Sequence, residues 1–204
     1  MRVHTVFVSY NRLDLLQRTI SSYLETATKP FISAEVVDNG SDEETIQWLH
    51  DHCPLLVTYL GTNRYPGYAT NVGFSHAPPT VGFLHRSDND MEYLPGWPEA
   101  VRERFGDAMV GQVGLRTTEE ELGCDTNVGG TAVFRKRLWD DGLRYREDPW
   151  EKLGGHTEDY WISQEVKAMG WRWTRVTRPC VVHIATGDLN DPYYQWSYGI
   201  RGIV

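Results

Sequence analysis

Val3-His4-Thr5-Val6-Phe7-Val8 runs into the polar turn Ser9-Tyr10-Asn11-Arg12, and the stretch from Leu13 to Thr26 then carries Leu13, Leu16, Ile20, Tyr23 and Leu24 at helical spacing. A short β-branched run closed by polar residues reads as a buried strand, and the recurring apolar positions read as a helix, stopped by Lys29-Pro30. The alternation repeats. Ala34–Val37 is a second strand ending at Asp38-Asn39-Gly40. Ser41-x-x-Glu44 has the capping-box pattern for a helix that turns Ile46 and Leu49 inward. Leu55–Leu60 is a third strand. Strand–helix–strand–helix–strand within sixty residues implies right-handed parallel crossovers and an α/β, doubly wound sheet. Ligands of such sheets bind beyond the carboxyl ends of the strands, here the turns Ser9–Arg12, Asp38–Ser41 and Gly61–Gly67.

Further along, the pattern predicts a short helix over Gly67–His76, a strand over Val81–His85 and a helix from Pro98 to about Arg104. Strands follow at Met109–Leu115 and Val128–Phe134, with a helix at Lys136–Asp141. A helix over Glu158–Met169 is ended by Gly170, and late strands occupy Trp171–Val176 and Cys180–Ile184. The chain of 204 residues shows no repeat, low-complexity tract or linker, so residues 1–204 read as one domain.

Composition sets outer bounds. Hydrophobic residues at 40% and charged residues at 24% describe a globular chain. A net charge of −8 is a poor electrostatic footprint for duplex nucleic acid or anionic lipid. The three cysteines, Cys53, Cys124 and Cys180, form no Cys-x-x-Cys pair and no even-numbered framework, which leads to reduced thiols and a cytoplasmic expectation. No signal peptide or membrane span is legible.

The chemistry concentrates in Asp88-Asn89-Asp90, which follows a buried strand and precedes Leu94-Pro95-Gly96-Trp97. Two carboxylates lifted out of a sheet at this spacing suit a hard divalent cation of the kind that neutralises a nucleotide diphosphate. A solvated turn is the plain alternative.

These segments together resemble the large inverting family 2 of GT-A glycosyltransferases. The resemblance runs through Val8–Arg12, Val37–Asp42, Asn63–Gly73 with Asn71-Val72-Gly73, Asp88-Asn89-Asp90, Gly129-Gly130-Thr131 before Phe134-Arg135-Lys136, and Thr157-Glu158-Asp159 followed by Gly170-Trp171. It implies a single-domain, Rossmann-like GT-A fold with a mostly parallel central sheet flanked by helices. The nucleotide-sugar half would span about residues 1–95 and the acceptor half about 96–204. It also implies a nucleoside-diphosphate sugar donor, UDP-sugars being favoured, a hydroxyl acceptor of unknown identity, and Mn2+ or Mg2+ as cofactor.

Residue by residue, the resemblance places Tyr10, Asn11, Arg12, Asp38, Asn71, Gly73 and Asp88 on the donor. Tyr10 would stack on the base and Asp38 would accept a base or ribose hydrogen bond, the alternatives being a packed tyrosine and a turn-forming aspartate. Asn71 and Gly73 would bring backbone close to the nucleotide. Asp88, Asp90 and His183 are the metal candidates, Asp90 as direct ligand; His183, in an apolar strand, is otherwise a satisfied core histidine. Asp159 is the general base that takes the acceptor's proton, with the dipole of its helix lowering its proton affinity somewhat; Glu158 and Asp159 as plain helix caps are the alternative. Gly130, Glu158 and Trp161 fall on the acceptor side.

The reaction implied is an inverting, metal-dependent transfer of one sugar. The Gln-x-x-Arg-Trp motif of processive synthases is missing, since Gln195-Trp196 does not match it. Two other readings are a non-catalytic nucleotide- or glycan-binding relative and a sugar nucleotidyltransferase. The latter would carry a Gly-rich basic loop where this chain has Ser9-Tyr10-Asn11-Arg12. The aromatic tail, with Tyr193, Tyr194, Trp196 and Tyr198, is compatible with a lid, a homodimer contact or a membrane-grazing patch, and the loop Arg116–Asp125 with acceptor choice.

Overall fold

The computed structural model describes residues 1–27, 31–115, 127–154 and 156–185. The loop Arg116–Asp125, Cys124 and the aromatic tail lie outside them, as does the side chain of Trp150.

The elements in chain order are β1 (Val3–Ser9), α1 (Leu13–Thr26), β2 (Phe31–Asp38), α2 (Glu43–Asp51), β3 (Leu56–Tyr59), α3 (Tyr65–Ser75), β4 (Phe83–Ser87), β5 (Met91–Tyr93), α4 (Trp97–Arg104), β6 (Val110–Gly114), β7 (Ala132–Arg135) and α5 (Lys136–Asp140). A 3-10 turn (Trp150–Leu153), α6 (Glu158–Ala168), β8 (Arg172–Arg175) and β9 (Val181–His183) complete the described chain. Seven strands form one sheet in the order β3-β2-β1-β4-β7-β6-β8. Its β1, β2, β3 and β4 are parallel, whereas β7 runs antiparallel to both β4 and β6. The mostly parallel α/β expectation holds. The sequence alternation did not reveal that β7 reverses, nor the two-stranded antiparallel ribbon of β5 and β9.

Helices cover both faces. On one, α1 presents Leu16, Ile20 and Tyr23 to Phe7, Val36, Leu49 and Trp97. Each such fully buried side chain contributes about 1.5–3 kcal/mol, so the i, i+4, i+7 stripe read from the sequence anchors this layer. On the other face α3 and α6 bring Ala69, Phe74, Ile162 and Val166 against Val6, Val8, Val37 and Leu84. Among the described residues no helix is long and apolar enough to cross a membrane.

Two local readings are corrected. The cap of α2 is Asp42, whose Oδ1 accepts from the Thr45 N–H at 2.9 Å, and not Ser41. The Ser41 hydroxyl instead accepts from the Asn11 N–H at 2.8 Å, because the β1 turn presents an unpaired donor there. Gly73 does not line the nucleotide rim. A Cβ at this position would lie 2.5 Å from Val6 Cγ1 and 3.1 Å from Val37 Cγ2, so its hydrogen lets α3 settle onto the sheet. Gly73→Ala is expected to lower stability by about 1–3 kcal/mol through overpacking. Urea unfolding should show a lower midpoint at unchanged slope.

Candidate active site

Parallel pairing brings the carboxyl ends of β1, β2 and β4 to one rim. The turn after β1 is held in an unusual conformation, with Asn11 at φ 53° and Arg12 at φ 60°. Left-handed backbone is disfavoured for residues with a Cβ and persists where the surroundings impose it. Here they do so. Asn11 Oδ1 accepts from the Asp42 N–H at 2.8 Å, its carbonyl accepts from Asn89 Nδ2 at 3.2 Å, and Arg12 Nη1 donates to Asp90 Oδ2 at 3.0 Å. The first turn is thereby tied to both the second turn and the Asp-x-Asp segment.

Asp38 is fully buried. Its Oδ2 accepts from the N–H groups of Gly40 and Ser41 at 3.1 and 3.2 Å, while Oδ1 is buried without a hydrogen-bond partner. It builds the turn with one oxygen and keeps the other for a donor group. Tyr10, with 43% of its surface exposed, offers an uncommitted ring at the same rim. Asn71 is committed elsewhere. Its Nδ2 donates to the Tyr145 carbonyl and Glu147 Oε1 at 2.9 and 2.8 Å, and its Oδ1 accepts from the Tyr145 N–H at 3.0 Å. It locks α3 to the segment before α6. The β3–α3 turn is held by Asn39, whose Oδ1 accepts from the Arg64 N–H at 2.8 Å and whose Nδ2 donates to Asn63 Oδ1 at 3.1 Å.

The ribbon of β5 and β9 explains the placement of His183. Met91 pairs with His183, so the imidazole falls beside the residue preceding Met91. His183 Nε2 lies 3.0 Å from Asp90 Oδ2, and the Ile184 N–H donates to the Asp90 carbonyl at 2.9 Å. Burial opposes ionisation of both side chains. The hydrogen bond between them and their mutual charge outweigh it, holding Asp90 below the usual carboxylate range and His183 above the usual imidazole value.

These residues fit a divalent cation. Asp90 Oδ1 is buried with no hydrogen-bond partner, one imidazole adjoins the same carboxylate, and Asp88 is close enough to Asp90 and His183 for its charge to act on both. Among the described residues no three acidic, histidine or cysteine side chains form a ready-made cage. A cation held by Asp90 and His183 would leave coordination positions for phosphate oxygens, the usual arrangement where a metal meets a substrate phosphate.

β4 carries the link to the rest of the site. Successive strand residues alternate faces, so Leu84 and Arg86 of β4 point to the side covered by α6. Arg86 is buried. Its Nη2 donates to Asp88 Oδ1 at 2.9 Å and forms an ion pair with Glu158 Oε1 at 2.7 Å, and its guanidinium lies 5.2 Å from the Tyr145 ring centre. Asp88 is further fixed by its N–H to Thr131 Oγ1 at 3.3 Å. A Cβ on Gly130 would lie 2.0 Å from Asp88 Oδ2, so glycine lets the loop before β7 close over this carboxylate.

Asp159 opens α6 beside Glu158. Burial pushes its carboxyl up to about 7, the charges of Glu158 and Asp88 act in the same direction, and Arg86 opposes them. This corrects the expectation of a lowered proton affinity: desolvation and two like charges outweigh the helix dipole. Trp161 is held by contacts of its own. Its Nε1 donates to the Leu153 carbonyl at 2.9 Å, and Arg146 covers its ring at 3.7 Å from the centre.

Of the sequence candidates, Arg12, Asp88, Asp90, Glu158 and His183 belong to one connected group that adjoins Asp159, Gly130 packs against it, and Tyr10, Asn11 and Asp38 share its rim. Asn71 and Gly73 serve packing, and Trp161 is held by Leu153 and Arg146. The sequence reading assigned nothing to Arg86. The available signal was a charged residue two positions before Asp88 inside an apolar strand, which can be buried only if it is paired.

The whole chain can be set against known proteins. The pattern of "Glycosyl transferase family 2" matches residues 5–171. No curated protein sequence matches the chain. Among solved structures, the mannosyltransferase PcManGT from Pyrobaculum calidifontis, in complex with GDP-Man and Mn2+, superposes with a TM-score of 0.70 at 19% identity over 95% of this chain and 59% of that one. S. aureus TarS 1-349 gives 0.68 at 15% identity over 91% of this chain and 61% of that one, and its complex with UDP-GlcNAc gives 0.68 at 14% over 98% and 65%. The chain thus spans about three fifths of the length of these relatives in fold. With the family pattern running from β1 to the end of α6 and the fold shared with structures that hold nucleotide sugars, the chain belongs to glycosyl transferase family 2.

Proposed function

We propose that this protein is an inverting, metal-dependent glycosyltransferase that moves one sugar from a nucleoside-diphosphate sugar to a hydroxyl acceptor. The observation that carries the reading is the convergence of the Asp88–Asp90 segment and the Glu158–Asp159 segment on Arg86. It brings a diphosphate-side group and a proton acceptor of suitable strength to one place.

In this reading Tyr10 stacks on the base, Asp38 Oδ1 accepts from the base or ribose, and Arg12 adds positive charge at the phosphates. Residues 1–95 make up most of the donor side. Asp90 and His183 hold Mn2+, or Mg2+ less favourably because an imidazole is among the ligands. When bound, the cation supplies positive charge for the departing diphosphate. Asp159 accepts the proton of the attacking hydroxyl from the face opposite that leaving group, which makes the displacement a single in-line step with inversion. UDP-sugars are the favoured donors. A cytoplasmic setting agrees with the unpaired Cys53 and Cys180.

Because the base must be ionised, turnover should be lost as pH falls through about 7, well above the range of an ordinary aspartate. A profile of kcat/KM with its acid limb below pH 5 would remove Asp159 from this role. The direct test is nucleotide release from a panel of nucleoside-diphosphate sugars with and without Mn2+. Release from at least one donor, abolished by chelator and restored by Mn2+, is expected; no release from any donor would contradict the proposal.

A further inference from the structure

The site contains an arginine that the reaction scheme does not use. Arg86 is withdrawn from solvent behind Asp88, and its side chain is only 4% exposed. One nitrogen, Nη2, hydrogen-bonds Asp88 and ion-pairs with Glu158, while Nε and Nη1 are buried beside Tyr145 without a hydrogen bond of good geometry. An arginine selected for stability alone would be expected to satisfy its fork, because buried donors left unpaired are costly and buried ion pairs are commonly replaced by apolar groups without loss. The arrangement fits geometry better than stability. The same nitrogen fixes the separation between the end of β4, which carries the diphosphate-side carboxylates, and the first turn of α6, which carries the base.

We infer that Arg86 is a positioning residue for the transfer reaction: by bridging Asp88 and Glu158 it sets the placement of Asp159 relative to the donor. This rests on the function proposed above. Because Arg86 is buried behind the carboxylates it pairs, its removal is expected to act on turnover more than on donor binding. A lysine keeps the charge but presents one tetrahedral ammonium in place of a planar fork, and it does not substitute for the bridge.

The test uses nucleotide release from a donor that wild-type protein turns over. Arg86→Lys is expected to lower kcat 30-fold or more with KM for the donor within threefold. A kcat within threefold of wild type, or a loss carried by KM, would overturn the assignment. Urea unfolding judges the bridge without any activity. Arg86→Met, Glu158→Gln and the double variant form a cycle in which Glu158→Gln relieves the carboxylate that Arg86→Met strands. The cycle should show at least tenfold coupling in the unfolding constant, and additivity within twofold would overturn the bridge. The double variant should be more stable than Arg86→Met, though Asp88 keeps it below wild type, and should still lack turnover; recovery of turnover in it would equally refute a positioning role. Absence of nucleotide release by the wild type alone counts against the proposed function, whereas additivity in urea counts against Arg86.

Discussion

Asp159→Asn is expected to lower sugar transfer by about a thousandfold, within the range that a positioned general base supplies, while the affinity for nucleoside diphosphate with Mn2+ stays within threefold. Asparagine keeps the shape of the side chain and cannot take a proton. The first turn of α6 and the Arg86 bridge to Glu158 do not depend on the replaced carboxylate. The same variant should be more stable than wild type at neutral and higher pH. The folded-state value is raised to about 7, above the ordinary aspartate value of 3.8. Between these two values the folded protein binds more protons than the unfolded chain, so stability falls as pH rises through that window. The amide removes the loss, and the variant's melting temperature should exceed that of wild type at pH 8 and equal it near pH 4. A variant that loses donor affinity, or that gains no stability at pH 8, would show that Asp159 is not the strained carboxylate beside Arg86.

Asp90→Ala is expected to weaken Mn2+-dependent binding of nucleoside diphosphate by roughly 100-fold or more, since it deletes the carboxylate shared by Arg12 and His183. Calorimetric titration with and without Mn2+ separates the two contributions. In wild type the metal should tighten binding strongly; in the variant the two titrations should nearly coincide. Unchanged Mn2+ dependence would take Asp90 out of the cation site. Stability should respond as well, because the variant leaves the Arg12 guanidinium and His183 without their common partner and removes the tie between the β1 turn and the ribbon.

The halves of the fold differed in how far they could be read. The first ninety residues follow local rules: the stripe of Leu16, Ile20 and Tyr23 on α1 and the polar turns ending β1, β2 and β4 are local signals that the structure keeps, whereas Leu24 of the same pattern and Ile46 of α2 stay exposed. The boundaries moved where tertiary contacts decide. α3 begins at Tyr65, in the left-handed region at φ 65°, because Asn39 and Asn63 hold the preceding turn. β5 is only three residues long and exists through pairing with β9 about ninety residues later, which no local pattern encodes. The candidate carboxylates stood out in the sequence where they follow a strand, as with Asp88 and Asp90, or open a helix, as with Asp159. The site was misread where a residue type has two uses. Asn71 and Gly73 looked like nucleotide contacts but solve a packing problem between α3, the sheet and Tyr145. Arg86 was passed over because its meaning depends on which helix closes above β4, a long-range fact. The raised Asp159 was missed for the same reason: a helix dipole is visible from sequence, whereas burial beside two other carboxylates is not.

The most direct test of the central claim is a crystal structure of the protein with Mn2+ and a nucleoside-diphosphate sugar that it turns over. Asp90 and His183 would hold the manganese at the donor's diphosphate end, with the Asp159 carboxylate facing the anomeric carbon from the opposite side. A donor bound away from the β1, β2 and β4 rim, or a cation held without Asp90 and His183, would contradict it.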